Sequence, residues 1–81
     1  MTKINLFDAP SNIRLEVVEI TAGITVKKRL ISMGIHAGDK LIKLNGSSWG
    51  PVLVKNVTLN SSKVAIGKRL AAKIAVRYEE T

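Results

Sequence analysis

No cysteine occurs anywhere in this chain, so neither a disulfide framework nor a zinc thiolate site can hold it, and its fold must stand on side-chain packing alone. With 81 residues there is room for one domain, taken as residues 1–81, and a chain this short buries a smaller share of its surface than a larger one. The 46% hydrophobic content meets that demand, and it consists of Val, Ile, Leu and Ala with only three aromatics. No apolar run approaches the roughly 18 residues of a membrane span, and residues 1–10 lack the apolar stretch of a signal peptide. A soluble, cytoplasmic chain is the expectation.

Turn formers cut the sequence into short segments. The leader up to Asn12, with Pro10 and several polar residues, reads as an approach to a first strand over residues 14–21. Alternation in that strand breaks at Val17-Val18, as at a bulge or in a strand covered on both faces. Glu16 and Glu19, three apart in a strand, are expected on opposite faces. Thr25 is placed to cap a short helix over residues 26–33, in which Val26, Leu30 and Met33 share one face. Gly34 stands where a helix end takes a left-handed residue.

After the turn at residues 36–39, Ile42 and Leu44 alternate with Lys43 in a half-buried strand over residues 40–44. A loop rich in Gly and Ser, residues 45–51, carries Trp49 and ends at Pro51, so the next strand is placed at residues 52–59. A second tight turn at residues 60–62 leads to a strand at 63–66. One helical turn within 68–73 precedes a last strand in which Ile74, Val76 and Tyr78 share a face, and residues 79–81 read as a frayed tail. The count predicts an all-β fold: a small barrel of about five strands with one short α-helix plugging an end. Its predicted core contains Leu30, Met33, Ile42, Leu44, Val54, Ile66, Ile74 and Val76.

Catalytic chemistry is excluded by what the residues lack. His36 is the sole imidazole, the hydroxyls are scattered through turns, and there is no Walker loop, dinucleotide fingerprint or EF-hand spacing. One His, no Cys and six dispersed carboxylates supply no metal-ligand cluster, so neither a metal site nor a cofactor is expected. The formal charge of +7 suits nucleic acid, inner-leaflet lipid or an acidic protein face. The three aromatics, Phe7, Trp49 and Tyr78, are too far apart to form a stacking platform, so no nucleic acid is expected as partner. The densest basic cluster is Lys27, Lys28 and Arg29, which with His36 and Trp49 make up the candidate partner-binding residues. A merely solubilising role accounts for the lysines equally well.

Residues 29–39, Arg-Leu-Ile-Ser-Met-Gly-Ile-His-Ala-Gly-Asp, resemble the signature of the FeoA family: a helix ending in Leu, two variable residues, Met or Leu and Gly, then a turn and a Gly before a strand. The Gly50-Pro51 strand entry and the segment from Val64 to Gly67 with Ala71, Ala72 and residues 74–76 are similar to the family's later parts. Ala37 stands where Pro is common, and Lys68-Arg69 departs from the family's usual Arg and short apolar run. The resemblance implies an SH3-like barrel, found alone or attached to metal-dependent repressors and to the FeoB transporter. It also implies an accessory protein of ferrous iron uptake that docks on the cytoplasmic GTPase region of a FeoB-like transporter, modulates it, and meets the membrane through that partner only. A nucleic-acid-binding or repressor-associated small β-barrel is the alternative.

Overall fold

The computed structural model describes residues 2–44, 50–60 and 63–79. Six strands and two short helices follow one another as β1 (Thr2–Asn5), β2 (Arg14–Ile20), α1 (Ile24–Ser32), β3 (Lys40–Lys43), β4 (Val52–Asn56), β5 (Lys63–Ile66), α2 (Lys68–Ala71) and β6 (Ile74–Tyr78). Every pairing is antiparallel, in the order β1-β6-β2-β3-β4-β5. Laid flat, six strands would span about 24 Å at their usual spacing. Yet Val17 of β2, Leu41 of β3, Val54 of β4, Ile66 of β5 and Val76 of β6 all belong to one cluster, against which Ile4 of β1 packs, so the sheet curls around a single core. This is the small SH3-like β fold, and Leu30 of α1 and Ala71 of α2 pack into the same cluster.

The helix end follows from its residues. Gly34 has φ +85°, its N–H donates to Ile31 O at 2.9 Å, and the N–H of Ile35 donates to Leu30 O at 2.9 Å. This is a Schellman closure, with the hydrophobic contact it favours supplied by Leu30 and Ile35, both fully buried. Val26 and Met33 pack against the core beside Leu30, as their spacing predicts.

Five expectations need correction. The leader contributes a sixth strand, β1, which pairs with β6 from Thr2↔Tyr78 to Asn5↔Ala75. Helix α1 starts one residue before Thr25, with Gly23 in extended conformation as its cap and no side-chain cap bond. The approach to it is tied down by Thr21, whose N–H and Oγ1 both donate to Lys73 O, at 2.8 and 3.0 Å. Strand β4 stops at Asn56 rather than residue 59, because Asn56 Oδ1 accepts the N–H of Leu59 at 3.1 Å and turns the chain.

The phase of β3 is the reverse of that expected: Leu41 and Lys43 point inward, whereas Ile42 and Leu44 are half-buried and outside the core cluster. Lys43 tolerates this because its Nζ donates to the carbonyl oxygens of Phe7 and Ala9. Finally, Glu16 and Glu19 share the outer face. Val17 lies opposite Val76 and Glu19 opposite Ala75, so Val18 is the extra residue of a β-bulge that shifts every later side chain by one.

Candidate docking groove

Three pieces of chain converge on one side of the barrel. The bulge in β2 presents Val18, Glu19 and Ile20. The turn after α1 is laid alongside it by two backbone bonds, Val17 N–H to Asp39 O at 2.9 Å and Gly38 N–H to Val17 O at 2.8 Å. Helix α1 completes the wall with Lys27 and Ile31, and the turn adds His36 and Ala37, enclosing a groove of about 280 Å³. Its floor is largely aliphatic, and Ile31 remains 50% exposed. Lys27 has no ion-pair partner among the described residues, whereas Glu19 meets Lys3 Nζ at 3.5 Å across the strands.

A buried polar network fixes the turn. Asp39 Oδ2 accepts the backbone N–H of His36 at 3.0 Å and the side-chain amide of Asn56 at 2.7 Å, and lies 3.1 Å from His36 Nδ1. The Asn56 amide also donates to Gly34 O at 2.7 Å, joining the helix end, the turn and β4. Burial pushes the Asp39 carboxyl up, but the hydrogen bonds from Asn56 and His36 outweigh it and hold the group below its ordinary value of 3.8. The carboxylate therefore orients the imidazole, whose Nε2 has no partner among the described residues.

Such a site offers an apolar floor, one lysine and one glutamate at its edges and one oriented ring. No group of three His, Cys, Asp or Glu able to hold a metal ion exists among the described residues. A second cleft, on the outer face of β2, β3 and β6, has two of its cations tied to one carboxylate. Glu16 Oε1 there accepts from Arg77 Nε at 2.9 Å and pairs with Lys40 Nζ at 3.4 Å.

Of the candidate residues, Lys27 and His36 meet in the groove. Lys28 and Arg29 are exposed on α1 without lining it, and Trp49 lies outside the described residues. Sequence reasoning missed Val18, Ile20, Ile31 and Ala37. The broken alternation at Val17-Val18 was the signal for the bulge, and Ile31 falls off the Val26, Leu30, Met33 stripe. A further signal is the absence of any Asp or Glu between Glu19 and Asp39, or between Asp39 and Glu79. Both helices are consequently free of acidic residues.

A family model described as the FeoA domain matches residues 4–78. A protein of Methanocaldococcus jannaschii named for Fe(2+) transport, transport protein A, is 42% identical over 64 residues, which cover 79% of this chain and 73% of that protein. The crystal structure of an iron uptake regulatory protein, FeoA, superposes with a TM-score of 0.83 at 28% identity, covering 94% of this chain and 97% of the other. A manganese-dependent transcriptional repressor contains the same fold, with a TM-score of 0.79 at 21% identity over 91% of this chain and 40% of the repressor.

Proposed function

The chain belongs to the FeoA family, accessory proteins of ferrous iron transport, and from that premise we propose that it acts without catalysis, by docking on the cytoplasmic GTPase region of a FeoB-like transporter. Such a role places it in the cytoplasm, and no helix among the described residues is long and apolar enough to cross a membrane. The observation that carries the reading is the groove between α1, the β2 bulge and the His36 turn. It is a preformed apolar trough with a lysine at its edge that has no ion-pair partner among the described residues, and a ring oriented by its bond to the Asp39 carboxylate. An apolar anchor from the partner fills the floor beside Ile31, while Lys27 meets an acidic neighbour of that anchor.

The test is biolayer interferometry against the purified cytoplasmic region of a FeoB-like transporter. Ile31→Asp is expected to raise the dissociation rate, because it puts a charge in the apolar wall of the groove. Lys27→Glu is expected to slow association and to flatten its dependence on salt. Binding untouched by either change would place the contact elsewhere, and absence of binding by the parent chain would overturn the reading. The fold shared with a metal-dependent repressor does not by itself bring DNA binding to this chain.

A further inference from the structure

We infer that the outward crest of α1, with Lys73 beside it, is a contact for an anionic lipid surface. Ile24, Lys27, Lys28 and Ile31 stand at offsets of three, four and seven residues, which gathers them within about 100° of the helix circumference. This arc faces away from the stripe that Leu30 buries. Ile24 is 67% and Ile31 50% exposed, two of only four large apolar side chains exposed among the described residues. The bonds from Thr21 to Lys73 O bring a third exposed lysine to the segment that leads into α1. No acidic residue interrupts the sequence from Ile20 to Gly38. Glu19, which lines the groove with Lys27 and Ile31, is paired with Lys3 Nζ at 3.5 Å, and none of Lys27, Lys28 or Lys73 has an ion-pair partner among the described residues.

The chemistry of this crest selects its occupant. A second copy would bring another net charge of +7 against the first. A nucleic acid supplies phosphates but no apolar phase for two projecting isoleucines. The docking groove takes in only Lys27 and Ile31 of this arc, so a protein seated there leaves Ile24 and Lys28 without an occupant. The crest has aliphatic side chains set among lysines and no aromatic. An anionic bilayer satisfies both components: phosphate headgroups meet the lysines, and the isoleucines reach the acyl boundary while the lysine stems lie along it. One short helix with two apolar side chains gives weak, reversible attachment. This contact is direct, unlike the transporter-mediated one that the family resemblance implies, and it does not rest on the docking reading, although it shares Lys27 and Ile31 with the groove.

Sedimentation of the full chain with vesicles containing about 30% phosphatidylglycerol in phosphatidylcholine, against phosphatidylcholine alone, tests the inference. Binding is expected only to the anionic vesicles, with release at about 0.5 M salt. Lys27→Glu with Lys28→Glu should reduce it at least about tenfold. Ile24→Ser, at an exposed position outside the groove, should weaken vesicle binding several-fold and leave binding to the transporter's cytoplasmic region unchanged. Equal binding to neutral vesicles would overturn the inference. So would an Ile24→Ser variant that binds like the parent, which leaves only electrostatic adsorption, or retention by duplex DNA without any by vesicles.

Discussion

Lys43 Nζ donates to the carbonyl oxygens of Phe7 and Ala9, the latter at 2.9 Å, and so pins the leader across the barrel from inside the core. The residue is only 4% exposed, and its ammonium also lies 5.9 Å from the centre of the Phe7 ring. Burial holds the lysine below its ordinary value of 10.5, while Asp8 pulls in the opposite direction. Lys43→Met keeps most of the stem but removes the donors, leaving two inward carbonyls without partners. A loss of about 1–3 kcal/mol in urea unfolding is expected. The unfolded chain binds more protons than the folded one between the lowered value and 10.5, so the parent's advantage should widen as pH rises through that window.

Gly34 is held at φ +85°, and a Cβ built there meets nothing within 4 Å. Its substitution therefore tests backbone strain without steric crowding. Gly34→Ala should cost about 1–2 kcal/mol, and Gly34→Asn less, since Asn enters the left-handed region more readily. Equal stability of parent and Ala variant in a urea titration would refute this account of the helix end.

The pH dependence of stability carries the mark of Asp39. Its carboxyl titrates below 3.8 in the fold, where Asn56 and His36 donate to it, so its contribution is fully present above that value and is lost as pH falls through the folded value. Thermal melts between about pH 2 and 6 should show a steeper acid loss for the parent than for Asp39→Asn. Glu16, lowered by its hydrogen bond to Arg77, titrates in the same direction in both proteins and drops out of the difference. Parallel melting curves would mean that the Asp39 network adds no pH-dependent stability.

The phase of β3 can be checked directly. Leu41 is fully buried and Ile42 is not, so Leu41→Ala should cost about 2–5 kcal/mol and Ile42→Ala distinctly less. The reverse order would restore the strand face expected from sequence.

That strand shows where legibility ended. The α1 stripe, the Gly34 closure, the irregularity at Val17-Val18 and the inward face of β6 were readable because each rests on period or on the backbone freedom of glycine. In β3 the residues Leu41, Ile42 and Leu44 put apolar side chains on both parities, and a lysine was the natural choice for the outside. What reversed it is tertiary: carbonyls of the leader reach the end of the strand and receive the ammonium. β1 was missed for a tertiary reason too, since its place is set by pairing with β6 at the other end of the sequence. Of the groove, Lys27 and His36 were accessible through charge and residue type. Val18, Ile20 and Ile31 were not, because their joint presence depends on a bulge and a turn brought together by hydrogen bonds between distant residues.

Val18 falls between the paired positions Val17 and Glu19 and lies outside the core cluster, yet it lines the groove. A side chain bound neither by strand register nor by internal packing is free to vary, so the shape of the trough can be retuned at one position with little cost to the barrel. Recognition and stability are thereby made separable within one strand. Two relatives could differ in what they hold at this position while sharing the same unfolding midpoint.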